Sequence, residues 1–302
     1  MSNQDSFEVI ILGGSYAGLS AAMSLGRALR RVLIIDSDKP CNRQTPHSHN
    51  FITQDGKAPA AITLSAREQV LAYDTVKFHH DLAVKGISGP DGFEIVTGSG
   101  RSFFAKKLLF ATGIKDLMPD IDQFSACWGI SVIHCPYCHG YEYRHEKTGI
   151  LANGDSAFEM AKLISNWTKD LTVFTNGAPD FTPGQIEKLK SRNIPVVSTL
   201  VRGLEHTDGH LRSIIFEDGS QAAASALYAR LPFEQHCDIP AQLGCVLSEQ
   251  GYLKVDAMQK TTVPGIWACG DGTSPMRSVA NAVYTGSFAG AVINKELIDE
   301  SF

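Results

Sequence analysis

The chain has 302 residues, 43% of them hydrophobic and 20% charged, which is the composition of an ordinary globular protein and excludes collagen-like, coiled-coil and disordered chains. Its 27 Lys and Arg residues against 32 Asp and Glu residues give a formal net charge of −5. That balance argues against a nucleic-acid or membrane partner, because both attract concentrated positive charge, and the length is that of two domains of about 150 residues.

The first forty residues predict a strand, a glycine-rich turn, a helix and a second strand. The apolar run 7–12 is typical of a parallel strand that is buried on both faces. After it, Gly13 and Gly18 match the outer glycines of a dinucleotide-binding turn, and Ser15 occupies its middle position. Asp36 ends the second strand, where an acid can bind ribose hydroxyls. Because a helix N-terminus also attracts pyrophosphate, we predict a nucleotide site. The alternative is an ordinary turn with a chance acid.

Two later segments are predicted to belong to the same domain. Segment 107–113 is an apolar strand that ends in Ala-Thr-Gly, and segment 262–271 predicts a turn, a strand and then a Gly-Asp pair. Between them lies a second αβ unit, with predicted strands at 149–151 and 171–174 around a helix at 158–166. We therefore predict a domain inserted into another domain. The boundaries are 1–115 and 241–302 for the outer domain and 116–240 for the inserted one.

The stretch from His134 to His139 contains a Cys-x-x-Cys pair, Cys135 and Cys138. This spacing places two sulfurs within disulfide reach, and a helix that begins there lowers the pKa of a thiol. The sequence also fits c-type haem attachment, which requires export, or a zinc site, for which a second pair of ligands is missing. We interpret the pair as a redox dithiol and expect no metal.

These segments together resemble the low-molecular-weight thioredoxin reductases, a group of FAD-dependent disulfide reductases, over nearly the whole chain. The resemblance implies an α/β fold with two Rossmann-like domains, an FAD domain formed by both chain ends, and a smaller nucleotide-binding-like domain inserted in it. It also implies a homodimer and a thioredoxin-like protein or a small dithiol or disulfide as partner. The FAD contacts that it implies are Gly13, Ser15, Gly18, Asp36, Arg43, Gln44, Asn50, Ala111, Thr112, Gly113, Gly270, Asp271, Arg277 and Ser278. Ser278 departs from the family, which usually has Gln there.

The resemblance also assigns roles around the cysteine pair. Cys138 is the flavin-facing sulfur, and Cys135 exchanges with the outside thiol or disulfide. His139 stands where bacterial thioredoxin reductases usually have an acid–base Asp, and it resembles the histidine of gliotoxin-type dithiol oxidases. An ordinary imidazole accepts a proton more readily at neutral pH than a carboxylate does, so we expect His139 to be the base. A structural role for His139 is the alternative, and for His134 the two roles are equally supported.

The inserted domain departs from the family in three places that bind the nicotinamide nucleotide. Ala152 replaces the first glycine of the turn, the segment 175–177 lacks the cations that bind the 2′-phosphate of NADPH, and the segment at Leu231 lacks a glycine turn. A phosphate dianion needs a cation, so we predict that electrons enter or leave by another route. The alternatives are a weak NAD(P)H site, as in a conventional thioredoxin reductase, and a flavin-binding protein without turnover.

We expect no targeting signal and no membrane span. No apolar run reaches the ~20 residues of a membrane span, and the first segment carries acidic residues where a secretory signal carries positive charge. The seven cysteines are thinly spread, unlike those of a disulfide-rich secreted domain. We therefore expect a cytoplasmic protein.

Overall fold

The computed structural model describes residues 5–302. In chain order the strands are β1 Ser6–Leu12, β2 Val32–Asp36, β3 Val76–His80, β4 Ala83–Gly89, β5 Gly92–Thr97, β6 Ser102–Phe110, β7 Ile114–Asp116, β8 Val132–Ile133, β9 Thr148–Leu151, β10 Leu171–Phe174, β11 Val196–Val197, β12 Val201–Thr207, β13 His210–Phe216, β14 Gln221–Ala223, β15 Ala226–Ala229, β16 Phe233–Gln235 and β17 Ile266–Ala268. The helices are α1 Tyr16–Arg27, α2 Pro59–Leu71, α3 Phe124–Cys127, α4 Pro136–His139, α5 Gly154–Ile164, α6 Pro183–Ser191, α7 Ile239–Gln242 and α8 Val279–Asp299.

The described chain divides into two compact units. The first unit consists of the residues up to 43, of 51–116 and of 233–302, and the second unit consists of 44–50 and 117–232. The segment 233–240 lies in the first unit because β16 pairs with β7 and because Ile239 packs in the core of that unit. The sequence-based boundaries differ from these units at 44–50, at 116 and at 233–240, and the assignment of FAD to one unit stays a prediction.

The first unit is built on a seven-stranded sheet with the order β3-β2-β1-β6-β5-β4, in which β17 also pairs with β6. Strands β1, β2 and β3 are parallel, as are β1 and β6. The apolar runs of β1 and β2 are almost completely buried, as expected for strands that are covered on both faces. Helices α1, α2 and α8 pack on one face, and the other face packs on α7 and residues near it.

The second unit contains a five-stranded parallel sheet with the order β11-β10-β9-β15-β8 and a separate antiparallel sheet of β12, β13 and β14. Helix α5 covers the parallel sheet through Ala157, Met160, Ala161 and Ile164. The spacing of these four residues is that of one face of a helix. The α/β class predicted from the sequence is therefore confirmed. None of the described helices combines the length and the apolar character that crossing a membrane requires.

Candidate functional site

The glycine turn after β1 is packed so closely that side chains cannot enter it. Gly13 has a φ of +104°, and a Cβ atom on it would lie 2.3 Å from the carbonyl oxygen of Ala111 and 3.2 Å from the amide nitrogen of Thr112. A Cβ atom on Gly18 would lie 1.8 Å from the carbonyl oxygen of Gly13. Ser15 is the N-cap of α1, but its side chain makes no capping hydrogen bond, and the first turn contains no acidic residue. The helix N-terminus therefore suits an anion.

Gly18→Ala is expected to lower both stability and FAD retention. The added methyl group forces α1 away from the turn, and overpacking of this kind costs about 1–3 kcal/mol. The measurements are the free energy of unfolding in urea and the FAD content after purification. Gly184→Ala is the matched control, because a Cβ atom there meets nothing within 4 Å. Equal stability and equal FAD content in the two variants would contradict the close packing.

Asp36 is held at the carboxyl end of β2 by two backbone donors. Its Oδ2 accepts a hydrogen bond from the Gly14 amide at 2.5 Å, and its Oδ1 accepts one from the Asp38 amide at 2.7 Å. Each carboxylate oxygen has a second lone pair, which remains available to a ribose hydroxyl group. The contact of this carboxylate with a ribose stays a prediction.

The Ala-Thr-Gly segment leads the chain away from β6. The Ala111 amide donates to the Leu12 carbonyl at 2.8 Å, which extends the pairing of β6 with β1 by one residue. Gly113 then adopts a φ of +66°, and its carbonyl accepts from the His236 amide at 3.4 Å. These residues therefore border the glycine turn at the carboxyl end of β6.

The Gly-Asp pair after β17 meets the first turn of α1. A Cβ atom on Gly270 would lie 3.0 Å from that of Ala17, and the Gly270 amide donates to Thr285 Oγ1 at 3.1 Å. Asp271 follows, and burial raises its pKa to about 6; Asp116 also raises this pKa, whereas Arg277 lowers it. The structure thus brings Gly13, Gly18, Asp36 and Gly270 to the same end of the first unit, at α1 and the carboxyl ends of its strands.

Asp271→Asn is expected to stabilise the apoprotein at pH 7. The carboxyl group has a pKa near 4 when unfolded and about 6 when folded, so the native state binds more protons between these values. Stability therefore falls as the pH rises from about 4 to about 6, and the loss amounts to about 3 kcal/mol at pH 7. Urea unfolding across this pH range should lose that slope in Asp271→Asn but keep it in the exposed control Asp120→Asn. An unchanged slope in Asp271→Asn would contradict the raised pKa.

Arg277 has a partner that the sequence analysis missed. Its Nη1 and Nη2 donate to Oδ1 and Oδ2 of Asp116 at 2.8 and 2.9 Å, and the Asp116 side chain is only 5% exposed. The only signal for Asp116 in the sequence is its position, three residues after the Ala-Thr-Gly segment. Ser278, the departure from the family, is the N-cap of α8, and its Oγ accepts from the Asn281 amide at 3.1 Å.

The remaining predicted FAD contacts lie in the loop after β2, and the structure divides them between the units. Arg43 belongs to the first unit, whereas Gln44 and Asn50 belong to the second. The Arg43 side chain donates to the nearby Pro40 carbonyl at 3.2 Å. Gln44 lies beside Gly129. The FAD contacts of these three residues remain predictions.

Cys135 and Cys138 form a disulfide, with their Cα atoms 5.3 Å apart. Cys135 is the N-cap of the one-turn helix α4, and Pro136 is its first residue, a position where the missing N–H group costs nothing. The amides of Cys138 and His139 both donate to the Cys135 carbonyl, which closes the turn. The described residues include no group of three or more His, Cys, Asp or Glu residues that could hold a metal ion.

The pKa of His139 differs from that of the ordinary imidazole that the sequence analysis assumed. Burial lowers its pKa to about 4, and the charge of His49 lowers this pKa further. His49 lies beside Glu142, with 3.6 Å between Nε2 and Oε1. His139 is therefore uncharged at neutral pH and can accept a proton. With this pKa it is about as basic as an ordinary carboxylate, so the advantage over a carboxylate that the sequence analysis expected is absent.

His134 belongs to a row of aromatic rings. Its ring stacks on Trp128 at a centroid distance of 6.0 Å, and Trp128 stacks on Phe124 at 6.0 Å. Phe124 is completely buried. These stacking contacts fix the orientation of the His134 ring, next to Cys135 in the chain.

The second nucleotide motif is covered by the chain itself. Asn153, the N-cap of α5, accepts hydrogen bonds through Oδ1 from the amides of Gly154 and Asp180, both at 2.8 Å. Its Nδ2 donates to the Ala178 carbonyl at 2.8 Å. The first turn of α5 also contains Asp155. The loop after β10 therefore lies on the N-terminus of α5. Asp155 and Asp180 are acidic residues at this position, where an anion site would need positive charge.

The polar groups after β10 are also used internally. Thr175 Oγ1 donates to the Gly177 carbonyl at 2.7 Å, and Asn176 Oδ1 accepts from the Val201 amide at 2.7 Å. None of the residues 175–177 carries a positive charge.

The chain is similar to known proteins over nearly its whole length. The family model described as pyridine nucleotide-disulphide oxidoreductase matches residues 7–286. Thioredoxin reductase tcpT of Claviceps purpurea is 30% identical over 311 residues, which cover 99% of this chain and 96% of that protein. The structure of the oxidoreductase from Agrobacterium tumefaciens is 36% identical, with a TM-score of 0.91 over 97% of this chain and 99% of that one. The putative thioredoxin reductase TrxB from Bacillus anthracis is 30% identical, with a TM-score of 0.93 over 98% of this chain and 100% of that one.

These similarities confirm the resemblance that the glycine turns and the cysteine pair indicate. They also confirm FAD as the cofactor, because the family consists of FAD-binding flavoproteins. The chain belongs to the pyridine nucleotide-disulphide oxidoreductase family and is a thioredoxin reductase-like enzyme that acts on disulfides.

Proposed function

We propose that the chain is an FAD-dependent dithiol–disulfide oxidoreductase that works through Cys135 and Cys138 without a competent NADPH site. The contrast between its two nucleotide motifs carries the proposal. The N-cap Ser15 leaves the first amides of α1 without a side-chain cap, whereas Asn153 caps α5 and binds the chain's own loop. The first motif suits a dinucleotide, and the second does not.

The misfit of the second motif has steric and electrostatic causes. A pyrophosphate at the N-terminus of α5 would have to displace the loop that Asn153 holds, and it would meet the carboxylates of Asp155 and Asp180. The negative charges of the carboxylates and of a pyrophosphate would repel each other and oppose binding. The 2′-phosphate of NADPH would also find no cation at 175–177. We infer that the residues present do not fit a nicotinamide dinucleotide.

The first motif, in contrast, fits FAD. The first amides of α1, after the turn at Gly13, have no side-chain cap, the Asp36 carboxylate is held beside them by the Gly14 amide, and Gly270 packs against Ala17 of α1. The domains predicted at 1–115 with 241–302 and at 116–240 thus become an FAD domain and an inserted domain that carries the cysteine pair. Bound FAD supplies an acceptor and donor for an electron pair.

The cysteine pair can oxidise a dithiol in two exchange steps. A substrate thiolate attacks Cys135 Sγ, the disulfide breaks, and Cys138 leaves as a thiolate. The second substrate thiolate then attacks the substrate sulfur of the mixed disulfide, and Cys135 leaves as a thiolate. The substrate is released as a disulfide, and two electrons have moved to the cysteine pair. The reverse sequence reduces a substrate disulfide.

His139 is the proposed proton acceptor for these exchanges. Thiolates are the nucleophiles, so each substrate thiol must lose its proton before it attacks. The His139 imidazole is uncharged at neutral pH and adjoins Cys138 in the chain. It can therefore take a proton in one direction and return it in the other. His134, fixed on Trp128, is the next candidate.

The proposed partner is a thioredoxin-like protein or a small dithiol or disulfide. Two aromatic side chains beside the cysteines support this, because Tyr137 is 64% and Tyr141 is 66% exposed. Exposed aromatic rings are typical of surfaces that bind a partner. We also propose a homodimer, from the family resemblance, and a cytoplasmic location, because five cysteines are unpaired. Light scattering of the FAD-loaded protein tests the dimer, and a monomer would contradict it.

Calorimetric titration with NADPH and NADH tests the proposed loss of the second nucleotide site. The FAD-loaded protein should show no saturable binding up to roughly 1 mM, where the binding free energy is only about −4 kcal/mol. A micromolar Kd for either nucleotide would contradict the proposal.

A further inference from the structure

Two aromatic side chains of the second unit meet beside the short helix α4. Tyr137 lies between Cys135 and Cys138 in the chain, and Trp167 follows the end of α5. Their ring centres are 5.6 Å apart, and the angle between the ring planes is 89°. Aromatic pairs favour this edge-to-face geometry. Tyr137 and Trp167 are called the Tyr137 pair below.

The Trp167 side chain is packed against the end of α4. A Cβ atom on Gly140, the residue after α4, would lie 3.0 Å from both Cδ1 and Nε1 of the Trp167 ring. The Trp167 carbonyl accepts a hydrogen bond from the His145 amide at 2.9 Å, and its amide donates to the Ile164 carbonyl at 2.9 Å. Both the backbone and the ring of Trp167 are therefore fixed, and the ring holds one side of Tyr137.

The rest of Tyr137 is open to solvent, since this residue is 64% exposed. It differs in this respect from Tyr141, the other exposed tyrosine beside the cysteines. The Cζ atom of Arg144 lies 4.0 Å from the centre of the Tyr141 ring, so a charged group already covers that ring. Tyr137 contacts only the neutral ring of Trp167 in this way, and an apolar ligand that covers it gains the free energy of burial.

The position of Tyr137 limits what can bind it during the reaction. Cys135, whose sulfur the substrate thiolate attacks, is two residues away, so the two Cα atoms are at most about 7 Å apart. A group that contacts Tyr137 during this attack must therefore be attached close to the thiol. One aromatic side chain buries about 150–250 Å², whereas a stable protein complex buries about 800 Å² on each partner. The Tyr137 pair thus matches the ring of a small molecule.

We propose that the Tyr137 pair selects a small dithiol in which an aromatic ring is attached to the carbons that carry the two thiol groups. This inference names the substrate class of the proposed dithiol oxidation and rests on that function. Tyr137 contacts the substrate ring, and Trp167 is a positioning residue that fixes Tyr137. In the reaction the substrate dithiol becomes a cyclic disulfide, and the disulfide of Cys135 and Cys138 becomes a dithiol.

The test compares two dithiols that differ in the ring. Benzene-1,2-dimethanethiol and dithiothreitol carry their thiol groups at the ends of carbon chains of equal length, and both close to a cyclic disulfide. Only the first contains an aromatic ring. The readout is the second-order rate constant for reduction of the flavin in the FAD-loaded protein without oxygen. The ratio of the constant for the ring dithiol to that for dithiothreitol measures the selection of the ring.

Tyr137→Ala is expected to lower this ratio about 3- to 10-fold, the range for the loss of an aromatic contact. Tyr137→Phe keeps the ring and should keep the ratio. Trp167→Leu should lower the ratio as well, because the Tyr137 ring is no longer fixed. Tyr284→Ala is the matched control and should keep the ratio. Tyr284 is also 64% exposed and also pairs with a second ring, that of Phe288 at 6.0 Å, but it lies on α8 of the first unit.

An unchanged ratio in Tyr137→Ala would overturn the proposal. If Tyr137→Ala slowed the reaction with a reduced thioredoxin and left the ratio unchanged, the surface would belong to a protein partner instead. Equal losses of rate with both dithiols in Trp167→Leu would show that Trp167 is structural and does not position Tyr137 for the ring.

Failure of the proposed function gives a different result. If neither dithiol reduced the flavin of the wild-type protein, the dithiol oxidation itself would be contradicted. The preference for the ring is then decided by calorimetry with the cyclic disulfide of benzene-1,2-dimethanethiol. Tyr137→Ala should weaken its binding by the same 3- to 10-fold factor, roughly, as the rate ratio. Equal Kd values for the wild-type protein and Tyr137→Ala would overturn the proposal.

Discussion

Cys138→Ser is expected to abolish the reduction of bound FAD by dithiols. A serine hydroxyl cannot form the disulfide that Cys135 and Cys138 make, so the variant cannot take up an electron pair as a dithiol. Removal of a catalytic nucleophile costs on the order of 10⁴-fold or more in rate. The measurement is the loss of flavin absorbance in a single anaerobic turnover with dithiothreitol. FAD content should remain normal, because the predicted FAD contacts do not include Cys138.

The control for this variant is Cys237→Ser, which removes a cysteine of the first unit that has no disulfide partner. It should reduce its flavin at the wild-type rate. A Cys138→Ser protein that also keeps this rate would show that electrons reach the flavin without the cysteine pair.

His139→Ala is expected to slow the same single turnover by about 10²- to 10⁴-fold, the usual contribution of general acid–base catalysis, without loss of FAD. The base must be uncharged to accept a proton. Because the pKa of His139 is about 4, the wild-type rate should fall only as the pH drops through about 4. This inflection should disappear in His139→Ala. The sequence alone, with an ordinary imidazole, predicts an inflection at pH 6–7.

His139→Asp separates a catalytic from a structural histidine. Burial, which lowers the pKa of His139, would raise the pKa of an Asp at this position above its ordinary value of about 3.9, so its carboxylate would be a base at least as strong as His139. Asp is also the residue type that the bacterial thioredoxin reductases usually have here. We therefore expect His139→Asp to recover much of the rate that His139→Ala loses. A near-normal rate in His139→Ala would identify the histidine as structural and make His134 the next residue to test.

The parts of the site that the sequence predicted depend on short-range geometry. The turn at Gly13 and Gly18 and the acid at Asp36 belong to one βαβ unit, and their spacing indicates the roles that we predict for them. The bond between Cys135 and Cys138 likewise follows from a separation of three residues. The sequence predicts such features because a short stretch of backbone between two residues has few alternative conformations.

The features that the sequence did not predict depend on contacts between distant segments. Asp116 and Arg277 are 161 residues apart and meet only in the folded chain. The pKa of His139 depends on burial and on His49, neither of which a local motif indicates. Arg67 lies on α2, a helix without a recognisable motif, and it meets Asp38, after β2, and Phe78, in β3, only in the folded chain. The hydrogen bonds of Asn153 to the loop after β10 also depend on tertiary contacts, although Ala152 indicates the same proposed loss of the nucleotide site.

The central claim is that electrons pass between the substrate and the flavin through the cysteine pair and that a nicotinamide nucleotide does not supply them. Anaerobic spectrophotometry of the FAD-loaded protein tests it most directly. NADPH and NADH at stoichiometric concentrations should leave the flavin absorbance unchanged, whereas a dithiol should bleach it, and Cys138→Ser should prevent the bleaching. Rapid stoichiometric bleaching by NADPH would contradict the claim and identify a conventional NADPH-dependent thioredoxin reductase.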